Sequence, residues 1–201
     1  TQNIEWTLPS IVDGLSAHIA VSPRAGASVT NDKAASGDTG TGGGYDIALS
    51  HNALMDGLNV FAGMSNIEQA IAAGTGASGD RTQYVLGATY AIGGVTVGYQ
   101  ESRDNLQQSA VGATNSYYEN SAYGISFNVS DNLSLSYGNH KSTNSLNSGA
   151  SVELEAESLQ LAYTMGGMSV KIAESSVDNG SYTSGTSKDR DGTTVALTLA
   201  F

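Results

Sequence analysis

Residues 193–201 read Thr-Thr-Val-Ala-Leu-Thr-Leu-Ala-Phe, so that large apolar side chains alternate with small or polar ones. Successive side chains of a β-strand point to opposite faces, and this stretch would therefore have two unlike faces. One face carries Val195, Leu197, Leu199 and Phe201, whereas the other carries only threonine and alanine. An apolar face, a small polar face and an aromatic residue at the end are typical of a strand in a transmembrane β-barrel.

The same period of two recurs along the chain and predicts about eleven strands. In residues 133–138, for example, two leucines and a tyrosine alternate with two serines and a glycine. The predicted strands span residues 3–9, 14–23, 43–52, 58–67, 80–92, 95–103, 118–130, 133–141, 155–166, 167–175 and 192–201.

The two kinds of face need different surroundings. In a β-sandwich the apolar faces of two sheets pack together, but the polar rows of this chain could not form a dry core. Lipid on the apolar side and water on the polar side would suit both. We therefore predict an all-β fold, a transmembrane, antiparallel, up-and-down β-barrel that occupies residues 1–201 as a single domain.

The composition argues against several other classes of protein. The 201 residues include no cysteine, 39% are hydrophobic, and the formal net charge is −11. No run approaches the ~18–20 apolar residues of a membrane-spanning helix. The acidic balance argues against nucleic-acid binding, which requires a basic surface, and the lack of cysteine excludes disulfides and thiolate metal sites.

The predicted connections alternate between short and long. Short turns are expected near residues 10–14, 52–57, 93–94, 130–132 and 166–167, and long polar loops near 24–42, 68–79, 104–117, 142–154 and 176–191. Outer-membrane barrels have short periplasmic turns and long extracellular loops. If Phe201 is periplasmic, the first of eleven strands begins outside, whereas single-chain bacterial barrels have an even strand count. We therefore expect further strands before Thr1.

The ending at Phe201, the Gly-Gly turns and segments such as residues 84–90 resemble those of Gram-negative general-diffusion porins, in particular the alphaproteobacterial type. The resemblance implies that the chain is the C-terminal portion, with the last eleven strands, of a sixteen-stranded barrel. It also implies a homotrimer in the outer membrane that passes small hydrophilic solutes and ions passively. Phe201 would be the signal for the outer-membrane assembly machinery, and the barrel would contact lipids and lipopolysaccharide.

Two sets of residues are candidates for roles in such a channel. Strand parity predicts a set of ionisable side chains at or near the channel wall, where charge sets ion preference. This set contains His18, Arg24, Asp46, Arg81, His140 and Lys171, with either Glu101 or Arg103. Aromatic side chains on the apolar face would form girdles at the two membrane interfaces. The girdle candidates are Tyr84, Tyr90, Tyr99, Tyr123, Tyr163 and Phe201.

Three further motifs are weaker. Residues 74–79 match GxGxxG, but a dinucleotide site needs a strand before and a helix after it, so a loop is expected. Residues 42–46 nearly match one calcium β-roll repeat, which would need neighbouring copies. The acidic cluster Glu153, Glu155 and Glu157 could hold Ca²⁺ between an outer loop and lipopolysaccharide phosphates. Otherwise we expect no metal, no cofactor and no catalytic residue.

An alternative function is that of an outer-membrane adhesin or phage receptor acting through its extracellular loops. The loops concerned would be residues 24–42, 104–117 and 176–191. A soluble fibre or β-solenoid fits less well because no repeat of fixed length is present. A barrel enzyme also fits less well, since no constellation of catalytic side chains stands out.

Overall fold

The computed structural model describes residues 3–9, 11–23, 41–69, 79–107 and 115–199. These residues form eleven strands, which are β1 (Ile4–Thr7), β2 (Leu15–Ser22), β3 (Thr41–His51), β4 (Leu58–Gln69), β5 (Arg81–Ile92), β6 (Val95–Asn105), β7 (Asn115–Asn128), β8 (Leu133–Leu146), β9 (Val152–Met165), β10 (Met168–Asp178) and β11 (Arg190–Leu199). Two short 3₁₀ turns, Gly180–Tyr182 and Thr186–Lys188, lie between β10 and β11. Within these ranges, no helix has both the length and the hydrophobicity that spanning a membrane requires.

The strands form one antiparallel sheet in which each strand pairs with its neighbours in sequence. Within the described ranges, β1 pairs only with β2 and β11 only with β10, so the eleven-stranded sheet has two edges. This order is the up-and-down meander that the sequence predicts. The all-β fold and its eleven predicted strands are therefore confirmed.

One end of the sheet is made by tight turns, and we call it the turn end. At the hairpins between β5 and β6 and between β9 and β10, only two residues lie between the strands. Gly93 and Gly166 each have φ +58° there, a left-handed conformation that glycine adopts without steric cost. We call the opposite end of the sheet the loop end.

The strands continue further towards the loop end than the sequence predicts. β8 runs to Leu146 and β9 begins at Val152, so the expected long loop at 142–154 is reduced to residues 147–151. The prediction was wrong here because it ended the strands where the apolar rows ended. Backbone hydrogen bonds do not depend on side-chain polarity, and the ladder continues through polar residues. Of the predicted loops 24–42, 68–79 and 104–117, residues 24–40, 70–78 and 108–114 lie outside the described residues.

The register brings like residues together across the sheet. Seven apolar residues lie in direct cross-strand succession over β5 to β11, namely Ile92, Val95, Phe127, Leu135, Leu161, Ile172 and Val195. The adjacent row, on the other side of the sheet, is Ala91, Thr96, Ser126, Ser136, Gln160, Ala173 and Thr194. We call the side with the first row the apolar face and the side with the second row the polar face.

The apolar face does not pack into a dry core. Leu86 is 64% exposed and Val195 is 68% exposed, and among the described residues Ala17 is the one hydrophobic residue that is buried. So many exposed large apolar side chains would destabilise the fold in water, because burying one such side chain away from water stabilises a protein by about 1.5–3 kcal/mol. A medium other than water must therefore cover this face.

Candidate functional site

The polar face holds the predicted wall residues that the structure describes. Register pairs place His18 opposite Ala48, Asp46 opposite Ala20, and Lys171 opposite Ala162. Arg81 and His140 lie on the same side of the sheet. Arg24 lies outside the described residues.

The imidazole of His18 is held among polar side chains. Its Nδ1 lies 3.0 Å from the Thr7 hydroxyl and 3.8 Å from a Glu5 carboxylate oxygen, and its Nε2 lies 3.0 Å from the Ser16 hydroxyl. Serine and threonine at alternate positions of β1 and β2 provide these partners. The site is polar and exposed, which suits a wall in contact with water.

An ion pair joins β5 to β6 near the loop end of the polar face. The guanidinium Nε of Arg81 donates to Asp104 Oδ1 at 2.8 Å, and a second nitrogen donates to Asp104 Oδ2. This two-point geometry is favourable for an arginine and a carboxylate. Arg81 was predicted from the sequence as a wall residue, whereas Asp104 was not, although Asp104 has the parity of the polar face. Asp104 is the direct cross-strand partner of Tyr118 on β7.

The polar face also carries bulky residues that the sequence analysis missed. Phe61 lies over Gly87, where an added β-carbon would overlap the phenyl ring. Tyr118 contacts Tyr182, with 5.3 Å between the ring centroids. Because alternation assigns Phe61 and Tyr118 to this face, their parity was the signal that could have found them. Tyr182 lies between β10 and β11, where alternation assigns no face.

The apolar face carries the predicted tyrosines that the structure describes. Tyr99 pairs directly with Tyr123, whose ring centroid is 6.2 Å from that of Tyr137 on the next strand. We call Tyr99, Tyr123 and Tyr137 the tyrosine row. Tyr84, Tyr90 and Tyr163 share this face. Phe201 lies outside the described residues.

Beyond the tyrosine row, towards the loop end, the same face becomes charged. β9 shows the change, because leucines occupy this face up to Leu159 and glutamates occupy it from Glu157 to Glu153. Register places further polar side chains beside them, and we call the whole group the outer belt. Its members are Glu101, Arg103, Glu119, Asn139, Lys141, Glu153, Glu155 and Glu157. The prediction that Glu101 or Arg103 lies on the channel wall was therefore wrong, since both share the face of Tyr99.

The outer belt is cross-linked by ion pairs. Arg103 lies 3.1 Å from Glu119, and its guanidinium carbon is 3.8 Å from the ring centroid of Tyr117. Lys141 lies 3.2 Å from Glu153 and 3.3 Å from Glu155. Tyrosine hydroxyls complete the network, with Tyr99 donating to Glu101 at 2.5 Å and Tyr137 donating to Glu157 at 2.7 Å.

The belt shifts the pKa values of two of its members, which lie beyond the apolar rows. The pKa of Glu155 is lowered, chiefly because its carboxylate accepts a hydrogen bond from the Asn139 amide at 2.6 Å and also because Lys141 lies beside it. The pKa of Lys141 is raised by its contacts with Glu153 and Glu155. Within the described part of the chain, no three histidine or carboxylate side chains converge as metal ligands would.

The structure describes one of two other sequence motifs. Residues 42–46, which nearly match one β-roll repeat, lie in β3, and residues 44–46 of this stretch pair with β2 and β4. The GxGxxG stretch at 74–79 lies outside the described residues except for Gly79.

An exposed apolar face, a polar opposite face and an all-antiparallel meander define the fold of an outer-membrane β-barrel. Solved structures agree with this class. OmpF of Salmonella typhi, in a complex with daunomycin, superposes with a TM-score of 0.71 at 16% identity, over 98% of this chain and 61% of its own. OmpT of Vibrio cholerae expressed in the outer membrane gives 0.64 at 13% identity, over 98% and 64%, and OmpT folded in vitro gives 0.63 with the same identity and coverage. The expected outer-membrane location agrees with these neighbours.

The chain thus spans about three fifths of the length of these solved structures. At such low identity the similarity shows the fold and not the activity. No family model matches the sequence, and no curated protein matches it.

Proposed function

We propose that this protein is a porin, a passive channel for small hydrophilic solutes and ions. The observation that carries the proposal is the separation of the two faces across β5 to β11, with apolar rows exposed on one side and small polar rows on the other. In a barrel with lipid outside, the polar face lines a water-filled bore. Passage then depends on the width of the bore and the charge of its wall, and needs no catalytic residue.

Strand length supports the placement in the membrane. About 9–11 residues of a tilted strand cross a bilayer. β7, β8 and β9 have 14 residues each, so a few residues of each strand extend beyond the membrane. The charged outer belt lies on the extended portions, and the tyrosine row lies where an interfacial girdle is expected. The loop end would then be extracellular, in keeping with the predicted loops.

Within the described residues, β1 and β11 are the two edges of the sheet and do not pair with each other. An unpaired strand edge leaves backbone N–H and C=O groups without partners, which lipid cannot supply. We propose that further strands join β1 to β11, giving the sixteen-stranded barrel that the sequence resemblance implies. The same resemblance supports a homotrimer and assembly through a signal at Phe201.

The outer belt supports contact with lipopolysaccharide as a second feature of the proposal. At the level of the outer leaflet, lipopolysaccharide phosphates would bind Arg103 and Lys141 directly, and they would bind the carboxylates only through bridging divalent cations. Charged side chains at an interface cost far less than at the bilayer midplane, where arginine costs about 2–4 kcal/mol.

The decisive experiment is purification of the protein from outer membranes, followed by conductance measurements in planar lipid bilayers. A porin gives stepwise increases in current with weak ion selectivity, as a water-filled pore does. A trimer gives these steps in threes. A protein that inserts into the bilayer without conducting would contradict the proposal and favour the adhesin or receptor alternative.

A further inference from the structure

Residues 179–189, between β10 and β11, lie against the polar face of the sheet. The hydroxyl of Tyr182 is 2.7 Å from Ser142 Oγ, and its ring packs on that of Tyr118 at 5.3 Å between centroids. Ser142 pairs with Asn120 and Tyr118 pairs with Asp104, which places both contact residues on the polar face. This segment therefore occupies space on the side of the sheet that would line the bore.

Hydrogen bonds close the segment at its base. The backbone N–H of Asn179 donates to Asp189 Oδ1 at 2.9 Å, and the amide of Asn179 donates to the carbonyl oxygen of Glu153 at 2.9 Å. A β-carbon added at Gly180 would lie 2.6 Å from the carbonyl oxygen of Lys188, so the two halves of the segment are in close contact. We call residues 179–189 the anchored segment.

The anchored segment covers a chain of neutral hydrogen-bonding groups. Ser142, which is only 3% exposed, donates to Asn120 Oδ1 at 2.5 Å. The amide of Asn120 in turn donates to Ser102 Oγ at 3.2 Å. On this face Arg81 and Asp104 form an ion pair. Lys188 and Asp189 belong to the anchored segment, and Arg190, the first residue of β11, donates to the carbonyl oxygens of Ser187 and Asp189. The contacts that hold the segment on the wall are thus made by aromatic rings, hydroxyls and amides, none of which carries a formal charge.

We propose that the anchored segment narrows the extracellular mouth of the bore and sets the upper size limit for neutral hydrophilic solutes such as saccharides. This inference rests on the proposed porin function. Tyr182 acts as a positioning residue because its ring and hydroxyl hold the segment on the wall. Replacing Tyr182 by alanine removes no formal charge, so it should change size selection and leave ion preference largely unaltered.

The first test asks whether the segment covers the wall in the membrane-embedded protein. The chain has no cysteine, so Ser142→Cys introduces a single thiol beneath Tyr182. Ser136→Cys is the matched control, because it lies on the same strand and the same face, six residues nearer the turn end. We expect a charged methanethiosulfonate reagent to modify the thiol at 142 about tenfold more slowly than the thiol at 136. Adding Tyr182→Ala should abolish this protection, and equal rates without it would overturn the inference.

A tenfold protection corresponds to about 1.4 kcal/mol, which lies within the range of one aromatic contact. The hydrogen bond to Tyr182 does not contribute, because Ser142→Cys removes its serine hydroxyl. The Tyr182→Phe variant keeps the contact with Tyr118 and loses only the hydroxyl, so most of the protection should remain. Rapid modification at 142 in the Tyr182→Phe protein would show that the ring does not hold the segment.

The second test measures size selection by the swelling of proteoliposomes in saccharides of increasing size. We expect Tyr182→Ala to raise the rate for the largest permeating saccharide severalfold relative to the smallest, with an unchanged reversal potential in salt gradients. Tyr45→Ala, which removes a tyrosine from the apolar face, should leave the size dependence as in the wild type. The role in size selection would be overturned if the thiol at 142 is protected but Tyr182→Ala shows the same size dependence as the wild type.

Failure of the porin proposal can be distinguished from failure of the size-selection proposal. If the wild-type protein inserts into bilayers but supports neither conductance nor swelling, both the porin function and the role in size selection are contradicted. The thiol measurements do not depend on conduction, and they still report whether the segment lies on the wall.

Discussion

At the scale of single residues, neighbouring side chains of one strand meet different media. Leu135 is 40% exposed on the apolar face, whereas Ser136, the next residue, lies in the polar row with Ser126 and Gln160. The difference between lipid and water therefore falls within one step of the chain. A charge placed at each position tests the assignment directly.

We expect Leu135→Arg to lower the free energy of unfolding by up to about 2–4 kcal/mol, the cost of a charge at the bilayer midplane, because it places a charge on the lipid-facing row between Leu133 and Tyr137. Ser136→Arg places the same side chain in the bore and should change conductance while altering stability much less. The measurement is denaturant-induced unfolding in lipid vesicles, together with single-channel conductance. Equal loss of stability in both variants would contradict the face assignment.

The carboxylate of Glu155 makes the stability of the outer belt depend on pH. Its pKa in the folded protein is lowered, so its stabilising contribution is present above its ordinary pKa and is lost as the pH falls through the lowered value. We expect the unfolding midpoint of the wild type to fall more steeply under acid conditions than that of Glu155→Gln. The comparison is made from neutral pH down to about pH 3, below the ordinary range of carboxyl groups. Parallel curves for the two proteins would show that Glu155 is not responsible.

At the scale of elements, β9 shows how one strand serves two surroundings. In its half near the turn end, leucine and tyrosine occupy the apolar face, whereas in its other half glutamates occupy that face. In that other half, Val152, Leu154 and Ala156 occupy the polar face, near the first 3₁₀ turn of the anchored segment. The backbone ladder is continuous across this change, so the strand outlasts the lipid-facing pattern.

Tight turns give a prediction at the same scale. Gly57 and Gly93 both have positive φ, +76° and +58°, but a β-carbon at Gly57 would overlap the carbonyl oxygen of Ala91, whereas the space at Gly93 is open. We expect Gly93→Ala to cost about 1 kcal/mol from backbone strain alone. Gly57→Ala should cost more, as measured by the unfolding midpoint. A smaller effect at Gly57 than at Gly93 would contradict the described turn geometry.

At the scale of the whole molecule, charges on the two faces should act on different properties. Lys171 lies on the polar face among alanines, and Lys141 lies on the opposite face in the outer belt. Charge on the wall of a bore biases ion passage, whereas charge outside it is separated by the sheet and screened by salt within about 10 Å.

We expect Lys171→Gln to shift the reversal potential in a salt gradient towards greater cation preference. Lys141→Gln removes the same charge and should leave the reversal potential nearly unchanged. If Lys141→Gln shifts the potential as much as Lys171→Gln does, the assignment of the bore to the polar face is wrong.

The sequence was sufficient to predict the eleven strands, their faces and the tight turns. Each depends on local rules, since side chains alternate along any strand and glycine permits positive φ in a hairpin. Residues such as Leu135 and Ser136 therefore lie where alternation predicts. Alternation from Tyr99 places Glu101 and Arg103 on the apolar face, so the assignment of either residue to the channel wall misapplied the parity of β6.

Only the tertiary structure decided how far the strands extend and what lies next to what. β8 and β9 continue through polar residues because each is hydrogen-bonded to a partner strand, which no local pattern shows. The outer belt, the pair of Arg81 with Asp104 and the contact of Tyr182 with Ser142 join residues from 12 to 40 positions apart. Such contacts depend on register and chain path, so the sequence provides the side chains, and the folded sheet determines their neighbours.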